Sequence, residues 1–378
     1  VWQVSDRFLS AIRGTHKKVV VVDILDGGNS VPGFTGLPVV GGSITRDRFA
    51  QVFGRATVQI AAPDLAPLDP QSPLTPSGFE ARIYVGVEYL DGTRELVPVL
   101  TGPIQDSNVD DDLTTTLEIV DRSQWLIESI RAVDATFAAG FGFPEILEFM
   151  VDVLFSGHID FDIDLESLEF EVSPRLIYEQ GDDYWREMTD IVQSVGGWLR
   201  FNGSGDLVGS PEPDLSTTSP VWTVNEENGT EPGVLISAQY AWSRVPVFNG
   251  VLAIGRNVEF DVVYRSFIVD NDPASPSYWH GRFLHKMRAV ESAEITSTAS
   301  AAKYAQGQLL LSKGLARSID FAAVPNYALE PADVVLIQRD AMGLDLPVVV
   351  DSLTIGLGPE DSMTGSVRAR QETEVEDG

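Results

Sequence analysis

Apolar positions change period along this chain, and the changes divide it. In the first third they alternate with a period of two. After the run KKVVVVDIL at 17–25, strand patterns occupy 37–45, 55–61, 79–88, 95–101 and 113–120. The consecutive valines 19–22 predict a strand buried on both faces. Asp26-Gly27-Gly28-Asn29 marks a turn, and Asp91-Gly92 is a hairpin signal. Between strands, residues 63–77 carry Pro63, Pro67, Pro70, Pro73 and Pro76, a loop too stiff and too poor in N–H donors to join a ladder. Ahead of the strands, WQVSDRFLSAIR at 2–13 sets Val4, Phe8, Leu9 and Ile12 on one face of a short helix, with Ser5 as cap and Gly14 as stop. Many short strands separated by turns predict a closed or nearly closed barrel over residues 1–120.

Helical periods take over at 121. Segments 121–133, 144–155 and 182–195 read as helices, the second with Pro144 in the first turn, where the missing N–H costs nothing. In the third, Tyr184, Trp185, Met188, Ile191, Val192 and Val195 form the inward stripe, and Gly196-Gly197 ends it. A small hairpin turns around 202–205, and Pro211 and Pro213 read as a linker. Residues 121–212 are therefore expected as a helical α+β insertion between two β-rich parts.

Strands return at 221–224, 234–241, 248–254, 258–264 and 283–290, then at 348–357 and 363–370. Within this part, residues 299–316 predict a long helix. Ala301, Ala305 and Leu309 recur every four residues beside Tyr304, Leu311 and Leu315. Thr296, Thr298 or Ser300 can cap it, Gly314 lies near its end, and Arg317 meets the negative end of the dipole. Two strand runs, 318–324 and 333–337, are expected to follow as a hairpin joined by Pro325, Asn326 and Leu329-Glu330-Pro331. This helix and hairpin form a packing unit with no catalytic content. The tail QETEVEDG has no apolar stripe and is expected to fray.

At 378 residues, 43% hydrophobic and 22% charged, the chain can bury a large core and divide into two or three domains. No apolar run nears the length of a membrane span, and the N-terminus lacks the profile of a signal peptide. With no cysteine there is no disulfide framework, thiolate nucleophile or Cys-ligated zinc, which suits a reducing cytosol. Charge changes the picture most. The 56 acids against 26 bases give a net −30, a surface that repels nucleic-acid phosphates. Solubility explains such a balance as well as a surface past which a polyanion must slide. The segment 121–212 is the most acidic, with 19 acids against 5 bases, net −14.

Candidate chemistry is sparse. In HIDFDIDLESLEFEV at 158–172, Asp160, Asp162, Asp164, Glu166 and Glu171 fall at the liganding places of an EF-hand loop. Leu165 stands where that loop needs glycine, so Asp160, Asp162 and Asp164 remain calcium candidates against a stronger strand pattern. Ile159, Phe161, Ile163 and Leu165 alternate with the acids, and the phase then slips to Leu168, Phe170 and Val172, as at a bulge. The four histidines, His16, His158, His280 and His285, have no zinc-protease spacing. His280 and His285 lie with Trp279, Arg282, Lys286 and Arg288 in an aromatic, basic patch, read most economically as an ion-pairing contact with an acidic neighbour. Asp182 and Asp183 near Glu187 could mimic a glycosidase pair, but acids are frequent enough here for chance. Trp185, Trp198, Trp222, Trp242 and Trp279 could stack on sugar, though most fall in core phase. No nucleophile elbow, phosphate loop or dinucleotide fingerprint is present in the sequence. The expectation is a protein that is not an enzyme and uses no cofactor.

Several stretches resemble minor tail proteins of actinobacterial siphophages, of the tail-hub or baseplate-hub type. They are VSDRFLSAIRGTHKKVVVVDI, LPVVGGSITRDRFAQVFGRATVQIA and SGFEARIYVGVEYLDGTRELVPVLTGPI near the start. YEQGDDYWREMTDIVQSVGGWLRFNGSGDLVGSPEPD and SAAKYAQGQLLLSKGLARSIDFAAVPNYALEPADVVLI follow in the middle and C-terminal parts. The likeness, one of pattern and order, covers nearly the whole chain. It implies an α+β, mainly β fold: a tail-tube-like β-barrel domain at 1–120, the insertion at 121–212, and a second barrel domain at 213–378 carrying the helix 299–316. It implies a homotrimeric hub whose six barrels close the sixfold tail tube and present threefold symmetry to the tip. Implied partners are sister copies, distal tail and tail-tube proteins, the tape measure protein and tip or receptor-binding proteins, with genomic DNA only passing through. The implied location is the virion tail tip, after synthesis in the host bacterial cytoplasm. The alternative is a receptor- or carbohydrate-binding tail-tip protein assisted by calcium at Asp160, Asp162 and Asp164; a cell-wall hydrolase is the third reading, disfavoured by the missing motifs.

Overall fold

Two six-stranded β-barrels built on one strand order, and fused edge to edge, form the frame of the molecule. The computed structural model describes residues 1–378 apart from 156–157, 160, 166–167, 169–175, 214, 216, 228–231, 246, 258–261, 274, 293, 296, 314–316 and 369–378.

The chain opens with α1 (Asp6–Ile12), capped by the Ser5 side chain, which accepts from the Phe8 N–H. Strands β1 (Lys17–Asp26), β2 (Asn29–Ser30), β3 (Leu37–Asp47), β4 (Gly54–Ile60), β5 (Glu80–Glu88), β6 (Arg94–Val109) and β7 (Thr115–Val120) follow. Pairings run β1-β3-β4-β7-β6-β5 and back to β1, closing a barrel of six strands. Alternate residues point inward: Val58 and Ile60 on β4, Ile83, Val85 and Val87 on β5, and Leu117 and Ile119 on β7 are all essentially inaccessible. Each such side chain contributes about 1.5–3 kcal/mol by leaving water.

The insertion contains α2 (Ser123–Glu128), β8 (Ala135–Phe137), α3 (Phe143–Phe155), β9 (Ile163–Asp164), β10 (Leu176–Tyr178), α4 (Tyr184–Ser194), β11 (Gly197–Phe201) and β12 (Leu207–Pro211). It has a core of its own around Ile146, Met150, Met188, Ile191 and Phe201. The first helix is shorter than its pattern predicts, because the chain leaves it at Ser129 to make a bridge between Ile130 and Asp183. Arg131 and Glu187, both buried, pair beneath this bridge.

The last part holds β13 (Trp222–Asn225), β14 (Leu235–Trp242), β15 (Gly250–Asn257), β16 (Val262–Val269), β17 (Met287–Ser292), α5 (Thr298–Lys313), β18 (Arg317–Ala323), β19 (Val334–Arg339), β20 (Leu344–Gly356) and β21 (Met363–Arg368). Strands β15, β16 and β17 form a separate sheet, packed on α5 through Val251, Ala253, Ala301 and Ala305. Ser297 caps α5, its hydroxyl accepting from the Ser300 N–H, rather than Thr298 or Ser300; Thr296 lies outside the described residues. The remaining strands are ordered β13-β19-β20-β21-β18-β14. A backbone hydrogen bond, Val234 N–H to the Asn225 carbonyl at 2.9 Å, brings the start of β14 back to β13. The predicted hairpin of 318–324 with 333–337 does not form. β18 lies between β14 and β21, and β19 between β13 and β20, so the connection spans the barrel instead of turning tightly.

Along β3, β4, β7 and β6 the first barrel has the same register as the second along β14, β18, β21 and β20. β4 meets β7 with Ala56 opposite Ile119 and Val58 opposite Leu117; β18 meets β21 with Ile319 opposite Val367 and Phe321 opposite Gly365. The β3–β4 ladder slips between Val39 and Gly41, and the β14–β18 ladder slips between Leu235 and Ser237. The long strands β6 and β20 are each bulged against the following strand, between Ile104 and Asp106 and between Val350 and Ser352. Ile104 N–H donates to the Phe79 carbonyl, and its counterpart Val350 N–H donates to the Asp333 carbonyl. Two features differ: β1 is antiparallel to β5 whereas β13 is parallel to β19, and the β5–β6 ladder slips between Ile83 and Tyr84 whereas the β19–β20 ladder runs without a slip.

Candidate functional site

The residues singled out for chemistry do not converge. Asp162 and Asp164 are exposed at β9, a short edge strand parallel to β12, with the Asp162 N–H 3.4 Å from Asp206 Oδ1. Asp160, Glu166 and Glu171 lie outside the described residues. Among the described residues no three His, Asp or Glu side chains gather as a metal site. Asp183 caps α4 by accepting from the Arg186 N–H, and Glu187 is held by Arg131, so the suspected acid pair is occupied with structure. Trp185, Trp198 and Trp222 are buried, as their phase predicts. Trp279 stacks flat on His285 at 3.8 Å between ring centroids, with Gly250 beneath it leaving no room for a Cβ. Trp242 stands 66% exposed.

A groove of about 690 Å³ lies where the insertion, α5 and the β3–β4 turn meet, lined by Arg48, Phe49, Trp185, Asp190, Trp198 and Arg288. Burial and the nearby Glu294 push the Asp190 carboxyl up to about 6. The groove's aromatics are spoken for: Arg48 lies over the Trp198 ring at 5.0 Å while its guanidinium binds Glu212 at 2.5 Å. The groove is a joint between parts of the chain.

The organised feature is the seam between barrels. The second half of β20 leaves β19 and pairs antiparallel with β3, Ser352 opposite Asp47 through Gly356 opposite Ser43. Leu353, Ile355, Ile44 and Arg46 are sealed within it, each about 1% exposed or less. On its other face the Thr45 and Thr354 hydroxyls hydrogen-bond at 2.9 Å. Arg46 Nη2 donates to the Leu329 carbonyl at 2.6 Å. Beside it Arg368 Nε donates to Asp351 Oδ1 at 2.6 Å; burial nevertheless pushes the Asp351 carboxyl up to about 6. Arg368 also reaches the Leu311 carbonyl, tying α5 to the seam. A second buried pair, Arg122 Nε to Glu80 Oε1 at 2.6 Å, fixes the insertion to the first barrel together with Arg122 Nη1 to the Gly205 carbonyl. Sequence reasoning missed these arginines because a buried pair leaves no periodic trace: Arg46 and Arg122 interrupt otherwise polar or turn-like stretches.

No protein-family model and no curated protein sequence matches the chain. Solved structures do. The tail protein from Neisseria meningitidis MC58 superposes with a TM-score of 0.64 at 15% identity, over 93% of this chain and 97% of that one. The 43 kDa tail protein of prophage MuSo2 from Shewanella oneidensis gives 0.61 at 16% identity, over 93% and 98%. An Escherichia coli component of the type VI secretion system, described as structurally similar to the T4 tail proteins gp27 and gp5, gives 0.53 at 14% identity, over 93% and 77%. The chain therefore has the mainly β fold of these phage tail and secretion-system proteins.

Proposed function

We propose that this protein is a structural component of a phage tail tip, a hub of three copies whose six barrels close the tail tube and leave a passage for DNA. The observation that carries the reading is the doubled barrel: one chain holds two staves-in-register copies of one unit, already joined side by side. Three such chains present six barrels, which is how a threefold tip can meet a sixfold tube. The fold shared with tail proteins supports the same reading. The sequence resemblance extends it to siphophages of actinobacteria, with tube, distal tail, tape measure and tip proteins as neighbours, at the virion tail tip. The division proposed is 1–120, 121–212 and 213–378, with β15–β17 and α5 as an elaboration between β14 and β18. A net charge of −30 keeps DNA from adhering during transit, since like charge acts across a Debye length of about 8 Å.

Averaged images of tails carrying a tagged copy test this. Three copies in a ring at the distal end of the tube are expected; a protein found only along the tube, or absent from particles, ends the proposal.

A further inference from the structure

The repeat within the chain also says which edges are left over. In the internal seam, β3 offers Ser43–Asp47 to the second half of β20. The counterpart of β3 is β14, and the counterpart of that half of β20 is the end of β6. β14 is the last strand of the large sheet. β5 stops opposite Pro103, so among the described residues β6 runs on from Asp106 with β7 on one side only. Both edges are thus the two halves of a second seam, and they lie at opposite ends of a path of eight strands, β14-β18-β21-β20-β3-β4-β7-β6. One chain cannot close them on itself.

We propose that β14 of one copy adds antiparallel to the end of β6 of the next, repeating between chains the seam that β3 and β20 make within one. This rests on the ring reading above and specifies its contact. The register carries over directly: Leu353 opposite Arg46 becomes Ser107 opposite Trp242, Thr354 opposite Thr45 becomes Asn108 opposite Ala241, and Ile355 opposite Ile44 becomes Val109 opposite Tyr240. Exposure agrees with burial yet to come. Arg46, Ile44, Leu353 and Ile355 are sealed, whereas Trp242 is 66% exposed and Ser107 and Val109 are half-buried. Charge agrees as well. Arg244, the counterpart of Arg48, is brought beside Asp106 of the next copy. A head-to-tail contact of this kind must close into a ring or run on as a filament. Backbone hydrogen bonds supply adhesion, and the side-chain pairs fix the register.

The chain has no cysteine, so a cysteine pair reports without background. Asn108→Cys combined with Ala241→Cys places thiols where the internal seam holds Thr354 and Thr45, hydroxyls 2.9 Å apart. Oxidation of the purified protein and of assembled tail tips is expected to give covalent species ending at three chains. Asn108→Cys with Gln239→Cys, two residues out of register, is expected to cross-link poorly, and either single variant not at all. Trimers by native mass without the covalent bond overturn this seam and leave the ring standing. Equal cross-linking by the out-of-register pair overturns the register. Monomers without cross-links, in solution and in tail tips, overturn both. Asp106→Lys, at an exposed position, provides a second reading: unchanged melting with self-association weakened roughly tenfold is expected, and unweakened association speaks against the seam.

Discussion

Phe321 stands directly opposite Gly365 in the β18–β21 ladder, its ring carbons 2.7 Å from where a Cβ on Gly365 would lie. The same two places in the first barrel hold Val58 and Leu117, both fully buried. One barrel divides the volume between two aliphatic side chains, and the other spends it all on one ring. Gly365→Leu should then cost at least roughly 1–3 kcal/mol by overpacking, and Phe321→Val should cost a comparable amount through the cavity it leaves. The double change Phe321→Val with Gly365→Leu recreates the first barrel's pair and should recover most of the loss. Urea midpoints at constant slope measure it. Simple additivity of the two single effects would refute the compensation.

Positive φ is repeated too. Gly78 at φ 100° and Ala332 at φ 77° precede the residues whose carbonyls receive Ile104 and Val350. Nothing lies within 4 Å of a Cβ built on Gly78, so its substitution is a purely conformational test. Gly78→Ala should destabilise by about 1 kcal/mol, the left-handed penalty for an L side chain. Ala332→Gly relieves that penalty against the extra freedom glycine gains when unfolded, a net gain of up to about 1 kcal/mol. Paired thermal melts decide it, and equal losses at both positions would show that local contacts dominate.

Asp351 makes the internal seam sensitive to pH. Burial raises its carboxyl from 3.8 to about 6 in spite of Arg368 and Arg48. The folded state therefore holds a proton more tightly than the unfolded one. The stability this adds is complete below pH 4 and is lost as pH rises through about 6, up to roughly 3 kcal/mol in all. Asp351→Asn should flatten that part of the stability profile relative to the parent. Identical slopes in both proteins between pH 4 and 6 would count against a protonated Asp351.

How much of this was legible beforehand depends on range. Local signals served well: Ser5 caps α1, the stripe on α4 is buried from Tyr184 to Val192, and Asp91-Gly92 turns β5 into β6. Pairing was not local. Residues 318–324 and 333–337 looked like a hairpin because both are strands with turn residues between them, and nothing in them says that β21 and β20 intervene. The repeat itself was hidden for a physical reason. No residue of 55–60 matches its counterpart in 318–323, because each barrel fills its interior by its own division of volume. The sequence pattern ends β6 near 101, because its bulge at Ile104 shifts the alternation that marks a strand. The EF-hand spacing at 158–172 pointed to a metal, but Asp162 and Asp164 lie on a strand edge and their suspected companions fall outside the described residues. The sequence offers Trp242 as a sugar platform or core residue, whereas its place on an edge strand depends on pairings far off in sequence.

Tethering the two barrels has a thermodynamic consequence for any assembly they build. The β3–β20 junction is made at the effective molarity set by its own polypeptide, so dilution cannot open it. Contacts between separate molecules obey mass action instead. A tube of single-barrel subunits must win every junction from solution, whereas here half of them arrive already made, and the concentration needed to complete an annulus falls accordingly.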